Sequence, residues 1–259
     1  MRTIRLESLR KLIDTRGALE VDVASAELGV SRETIRRDLG ELAAQGLIRR
    51  TRGGAAALHY SLTELDITQR VLENGPQKVA IARYAVNNFV EDGMSIALDG
   101  GTTALEFARC LAGRKVTIIT ASIAIVNELA LSGTSVVVLG GSLRIKSMST
   151  SGLFASSMMQ QLQTDLAIVS GPAISADKGL MDSHDAAAAL KRQMISSAGA
   201  VYALLDSSKV GARSFVSICS LAELDGMVTD SLITRAQLLD LDNGVTQVFI
   251  AESELPNVT

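Results

Sequence analysis

Beyond Lys78 the chain alternates short, unbroken apolar runs with helical stretches, and this pattern limits its folds more than any other feature. The runs fall at residues 94–98, 116–120, 135–139, 166–169, 201–205, 227–229 and 245–250. A strand with one wet face alternates apolar and polar residues, whereas a strand covered on both faces reads as a continuous run. The pattern therefore predicts a mainly parallel, Rossmann-like α/β sheet covered by helices. Aromatic residues make up 3% of the chain and tryptophan is absent, so the core is expected to be aliphatic.

The residues before that change read differently. Ile4, Leu9, Leu12, Ile13 and Arg16 recur at helical intervals, with Gly17 as a stop. A short second helix follows, with Asp22 as its cap, Ala24 and Leu28 facing inward and Gly29 at its end. Ser31 is a good N-cap for a third helix, running from Arg32 to about Gln45 and stopped by Gly46. Ile35, Leu39 and Leu42 share one face of that helix, and Glu33, Arg36, Arg37 and Gly40 the other. Residues 47–52 then read as a strand that turns at Gly53-Gly54.

Two helices joined by a short turn, the second bearing outward arginines, form a helix-turn-helix followed by a basic wing. The second helix fits the major groove of duplex DNA, where arginine makes forked contacts with guanine or pairs with phosphate. The expected DNA contacts are Ser31, Arg32 and Thr34 at the end of the helix that enters first, and Arg36 and Arg37 on its outer face. Arg49, Arg50 and Arg52 on the hairpin are expected to meet phosphates.

Charge agrees with this division. The net charge of −3 hides an asymmetry: residues 1–58 carry eleven Lys/Arg against eight Asp/Glu, and the remainder carries fourteen against twenty. A basic head on an acidic body suits a DNA-binding module fused to a domain that does not bind DNA. Residues 1–57 are read as a winged helix-turn-helix domain, 58–77 as a polar linker punctuated by Gly75-Pro76, and 78–259 as an α/β effector-binding domain. Cys110 and Cys219 are too few for a disulfide framework and lack metal-ligand spacing. Both are read as small buried apolar residues in a cytoplasmic protein. Arg5, Glu7, Arg10 and Lys11 interrupt the N-terminal apolar residues, which excludes a signal peptide, and no apolar run is long enough to cross a membrane.

In the body, several predicted strands end in small polar residues just before a helix. The clearest case is Asp99-Gly100-Gly101-Thr102-Thr103, and Thr120-Ala121-Ser122 and Gly140-Gly141-Ser142 repeat it. Glycines let a ligand approach the backbone, hydroxyls donate hydrogen bonds, and free N–H groups at a helix start favour an anion. In an open parallel sheet such loops gather at the carboxyl edge of the strands, where ligands bind. Asp206 and Lys209 follow another strand onto the same rim, Lys209 as a partner for phosphate and Asp206 as an acceptor for sugar hydroxyls. The expected effector contacts are thus Asp99, Gly100, Gly101, Thr102, Thr103, Thr120, Ser122, Gly140, Gly141, Asp206 and Lys209. Asp182, His184 and Asp185 are read as a solvated loop. No catalytic residue, cofactor or metal is assigned.

Val30-Ser31, then Thr34-Ile35-Arg36-Arg37-Asp38-Leu39, Gly46-Leu47 and Arg52-Gly53-Gly54-Ala55 resemble the signature of the DeoR family of sugar-catabolism regulators. The similarity continues through Arg70, Asn74 and Lys78, the 99–103 loop, Gly140-Gly141, Asp206-Ser207-Ser208-Lys209 and Thr229-Asp230. The resemblance implies a sensor domain similar to sugar-phosphate isomerases that senses a phosphorylated sugar. It also implies a repressor of a carbohydrate-catabolism operon that acts on double-stranded operator DNA as a homodimer or higher homo-oligomer. The rival reading is a sugar-phosphate isomerase-like enzyme with a DNA-binding appendage, which would need an acid–base pair in its pocket. Two departures stand out. Family members usually carry a glutamate a few residues before the lysine matching Lys191; here the segment is His184-Asp185 and four alanines, so either Asp185 substitutes or the carboxylate is missing. The phrase after the fourth strand is altered to Val169-Ser170-Gly171-Pro172-Ala173.

Overall fold

The computed structural model describes residues 2–16, 18–45, 47–51, 53–57, 67–241, 244 and 247–252. The chain divides into two units, residues 1–63 and 64–259.

The first unit contains α1 (Arg2–Arg16), β1 (Ala18–Glu20), α2 (Val21–Leu28), α3 (Arg32–Ala44), β2 (Ile48–Thr51) and β3 (Gly54–Ala57). The strands pair antiparallel in the order β1-β3-β2. Leu9, Ile13, Leu19, Ile35, Leu39 and Ile48 form one buried cluster. The helical period thus places Ile35, Leu39 and Leu42 inside and leaves Arg36 and Arg37 exposed, as the sequence predicts. Asp38 is buried as well, because Arg5 Nε from α1 reaches its Oδ2 at 2.5 Å. Asp22 does not cap α2. Glu20 holds the N-cap position, and Asp22 stands in the first turn with its carboxylate 2.7 Å from Arg32 Nε. Gly29 ends α2 in a left-handed conformation at φ 65°. Gly17, Gly46 and Arg52 lie outside the described residues.

The second unit begins with α4 (Ile67–Leu72) and α5 (Gly75–Phe89), both starting inside the stretch read as a linker. Ile67 is buried, which lets α4 pack, and Pro76 stands in the first turn of α5, where its missing N–H costs nothing. Residues 58–66 lie outside the described residues. There follow β4 (Ser95–Leu98), α6 (Thr102–Cys110), β5 (Thr117–Thr120), α7 (Ile123–Leu129), β6 (Ser135–Val138), β7 (Ser142–Arg144), β8 (Ser149–Ser151), α8 (Leu153–Met159) and β9 (Thr164–Val169). The unit continues with β10 (Ala173–Ser175), β11 (Gly179–Asp182), α9 (Asp185–Ser196), β12 (Ala198–Leu204), β13 (Val216–Cys219), β14 (Gly226–Asp230), α10 (Arg235–Leu241) and β15 (Val248–Ala251).

Each apolar run of the sequence supplies a strand of one sheet, ordered β15-β14-β12-β9-β4-β5-β6, and every pairing in it is parallel. The carboxyl ends of the strands therefore share one edge. Helices pack on both faces over two clusters, one around Leu139, Met159, Ile174 and Met194, the other around Ile81, Ile96, Phe107 and Ile118. The core is not wholly aliphatic: Phe107 is fully buried, and Phe89 stacks on Tyr202 with ring centroids 3.9 Å apart. Nor is β6 covered on both faces. It is one of the two edge strands, and Val137 and Val138 are exposed. Two additions break the alternating pattern, a hairpin of β7 and β8 and a small antiparallel sheet ordered β10-β11-β13. Cys219 is buried, which pushes its thiol up to about 12, while Cys110 is only half-buried.

Candidate functional site

The DNA-facing residues of the first unit are built on α3 and the β2–β3 hairpin. Ser31 Oγ accepts from Thr34 N–H at 3.2 Å, fixing the start of α3. Ser31, Arg32, Arg36, Arg37 and Arg50 are exposed, and Thr34 is half-buried beside Ser31. Arg36 lies 3.7 Å from Glu33, an exposed pair that water screens and phosphate can replace. Arg50 Nη1 donates to Arg36 O at 2.9 Å, tying the hairpin to the third helix. Four arginines thus stand on one helix and its neighbouring strand. The Arg49 side chain and all of Arg52 lie outside the described residues.

In the second unit the predicted effector residues gather at the carboxyl edge of the sheet, but several are already occupied. Thr120 Oγ1 accepts from Ser122 N–H at 3.1 Å, and Ser122 Oγ caps α7 by accepting from Ile125 N–H at 3.3 Å. Thr102 and Thr103 are buried at the start of α6, where Gly101 is the N-cap. A Cβ at Gly101 would fall 2.1 Å from Ser170 Oγ, so internal packing already requires that glycine. Gly140 and Gly141 do not precede a helix; they lead into the β7–β8 hairpin. Gly141 has φ 141° and lies so close to Ser151 that a Cβ would meet its carbonyl oxygen at 2.6 Å.

Asp99 belongs to a buried charge cluster that the residue pattern did not reveal. Ser170 donates to Asp99 Oδ2 from both its N–H, at 3.1 Å, and its hydroxyl, at 2.5 Å. Lys191 Nζ lies 3.0 Å from the same oxygen, 2.7 Å from Asp182 Oδ2 and 2.7 Å from Ser170 O. Three acceptors meet the three protons of one ammonium. Burial works against the Lys191 charge, but Asp182 and Asp99 outweigh it and hold its pKa well above the ordinary value. Burial likewise opposes the Asp182 charge, and Lys191 and the His184 N–H outweigh it, leaving the carboxyl below its usual range. Asp185 is turned to solvent beside His184, so Asp182 rather than Asp185 serves Lys191. A saturated, firmly protonated lysine between two carboxylates is no proton shuttle. The signals for this cluster were Lys191 itself and the altered Ser170 phrase.

Asp206 is buried and caps the turn Ser207–Lys209, accepting from Ser208 N–H at 3.2 Å and from Asn74 Nδ2 at 2.9 Å. Asp230 accepts from Ser207 N–H at 2.7 Å. Between these loops and the start of α5 lies a cavity of about 210 Å³, lined by Asn74, Gln77, Ser207, Ser208, Asp230, Leu232 and Gln237. Lys209 is half-buried on the same turn. Lys78, on α5, is buried and donates to Glu73 O at 2.5 Å and to Arg70 O. Its pKa is lowered, first by burial, then by Lys209 and Arg70, against the pull of Asp206 and Glu73. Among the described residues no group of three His, Cys, Asp or Glu is placed to hold a metal ion, and no helix is long and apolar enough to cross a membrane.

Comparison with known proteins matches both units. Residues 5–60 match the family model for the DeoR-like helix-turn-helix domain, and residues 73–231 that for the DeoR C terminal sensor domain. The HTH-type transcriptional regulator GlpR of Haloferax volcanii is 33% identical over 94% of this chain and 96% of its own. The lactose phosphotransferase system repressor of Staphylococcus epidermidis is 32% identical over 88% of this chain and 91% of its own. Among solved structures, ribose 5-phosphate isomerase A from Methanocaldococcus jannaschii overlaps 53% of this chain and 55% of its own, with a TM-score of 0.40 and 21% identity.

Proposed function

Because the chain belongs to the DeoR family of DNA-binding transcriptional regulators, we propose that it represses a carbohydrate-catabolism operon and is released by a phosphorylated sugar. The observation that carries the effector half is the cavity at the ends of β12 and β14. Ser207, Ser208 and Asp230 line it, and Lys209 stands on the same turn within electrostatic reach of Lys78. Hydroxyl and ammonium groups together suit a phosphate ester. The 99–103 loop and Ser122 lie along the same sheet edge and would contact the rest of the sugar. Arg36 and Arg37 would read base edges while Arg50 and the neighbouring wing arginines meet phosphates.

A single winged helix reads too few base pairs to find one operator in a genome, so the working form is a homodimer or larger. Exposed apolar side chains support a second copy of this chain as the partner of edge strand β6. Val137 and Val138 lie on that strand, and Leu153, Phe154 and Met158 on α8, whose Met158 sulfur accepts from Gly140 N–H just past the end of β6. An unpaired edge strand joins an identical strand about a twofold axis without a gap in its hydrogen bonding. Effector binding then shifts the population between two arrangements of the paired heads.

A thermal-shift screen of sugar phosphates against the full chain tests the effector reading. A phosphorylated sugar raises the melting temperature by mass action, its unphosphorylated parent does so far less, and Lys209→Ala removes the difference. Equal responses to both sugars reject the reading.

A further inference from the structure

Two arginines of α1 face two acids of α3. Arg5 Nε donates to Asp38 Oδ2 at 2.5 Å and Arg5 Nη2 to Asp38 Oδ1 at 3.2 Å, so one guanidinium grips both oxygens of the carboxylate. Three residues away on each helix, Arg2 pairs with Glu41. Residues three apart share a helix face, so the two pairs make a ladder between α1 and α3 whose rungs run in opposite sequence directions. The outer rung is open to water and holds little. The inner rung is not: the Asp38 side chain is 1% exposed and that of Arg5 24%.

A buried ion pair is weak evidence for stability, because apolar side chains of similar volume often serve a fold as well. What the fork adds is direction. Ile35, Leu39 and Leu42 hold α3 in the core by apolar contact, which is non-directional and leaves the roll of the helix about its own axis loosely set. Two parallel hydrogen bonds from Arg5 fix that roll. They do so at the residue next to Arg37 and two from Arg36, the side chains turned outward from α3. Side chains that must meet base edges have to be held to within about 0.5 Å, which demands support from behind. We propose that Arg5 and Asp38 are positioning residues for operator reading: their buried fork sets the roll of the recognition helix and thereby aims Arg36 and Arg37. This role rests on the reading of Arg36 and Arg37 as base contacts. The pair is kept for selectivity, not for stability.

The test uses the full chain with two duplexes of equal length, a selected operator and its scrambled counterpart, at several salt concentrations. Arg5→Met combined with Asp38→Leu removes one charge of each sign and leaves the net charge of the head unchanged. The double variant should melt at or above the parent temperature and keep its affinity for the scrambled duplex and its salt slope. It should lose about tenfold or more of its preference for the operator. Arg5→Lys keeps the charge without the fork and should lose part of that preference at an unchanged salt slope. A double variant with the parent's preference overturns the proposal. So does equal loss of affinity for both duplexes with a lower melting temperature, which marks the pair as structural. A salt slope reduced by about one makes Arg5 a phosphate contact and overturns it as well. If the double variant does not fold, Arg5→Lys decides: preference lost at the parent melting temperature supports the proposal, and preference kept overturns it. If Arg36→Ala and Arg37→Ala keep their selectivity while the double variant loses it, the base-contact reading falls and the pair still positions the helix. If those two lose selectivity and the double variant keeps it, the base contacts stand and the positioning role falls.

Discussion

Lys191 Nζ sits 2.7 Å from Asp182 Oδ2, and the two come from α9 and the end of β11 to meet beneath the carboxyl edge of the sheet. With Asp99 they form a cluster in which neither sign of charge can be removed alone. Lys191→Met leaves two buried carboxylates facing each other and should cost about 3–5 kcal/mol of stability. The pH dependence follows from the two shifts. Asp182 titrates lower when folded, so its contribution is full above the unfolded carboxylate value of about 4 and is lost as pH falls through the folded value. Lys191 titrates higher when folded, so its contribution is full below about 10.4 and is lost as pH rises through the folded value. Thermal unfolding across pH should show both limbs in the parent chain and weaker ones in Lys191→Met. A loss under 1 kcal/mol, with unchanged limbs, contradicts the cluster's structural role.

The outward face of α3 should carry operator selectivity. Arg36→Ala or Arg37→Ala should each cost about 1–3 kcal/mol in specific binding. Arg50→Ala should weaken all sequences more evenly and reduce the slope of log affinity against log salt by about one. Gel shifts on a selected operator at several salt concentrations measure both effects. Full selectivity in the Arg36 and Arg37 variants would mean that another surface reads the bases.

Effector binding should take up protons at alkaline pH. Lys78 has a lowered pKa, chiefly from burial, and an anion beside it restores the charged form. Affinity for a sugar phosphate should therefore fall as pH rises through the value for the free protein, with net proton uptake over that window. Calorimetry in two buffers of different ionisation enthalpy reports the uptake directly. Proton release, or affinity independent of pH above neutrality, would remove Lys78 from the site.

The apolar edge at β6 and α8 should hold the assembly together. Phe154 is 74% exposed, so a single copy leaves most of its ring in water. Phe154→Asp should shift the sedimentation profile towards monomer and lower operator affinity while leaving the melting temperature of the separated chains almost unchanged. An unaltered profile would place the contact elsewhere.

How far the sequence could be read depended on the range of the interactions. Continuous apolar runs announced every strand of the main sheet: burial on both faces leaves a local mark at each residue of the inner strands, and edge strand β6 carries such a run although Val137 and Val138 are exposed. The third helix was legible for the same reason, with Ser31 as its cap and Ile35 and Leu39 as its inner face. The 99–103 loop was recognisable as a loop, but its role was not: Gly101 answers to Ser170 and Asp99 to Lys191, both far along the chain. The sequence offers Asp185, at the start of α9, as the acid for Lys191, whereas Asp182 reaches it from β11, a strand the apolar pattern did not announce.

A phosphorylated sugar bound to the body should release the head from its operator. Fluorescence anisotropy of a labelled operator duplex, titrated with the full chain at fixed salt, tests it most directly. Saturating sugar phosphate from the thermal-shift screen should weaken operator binding by about five- to 150-fold, the span of ordinary coupling free energies, while the unphosphorylated sugar leaves it unchanged. Operator affinity that ignores the sugar phosphate, or that responds equally to both sugars, would contradict the account.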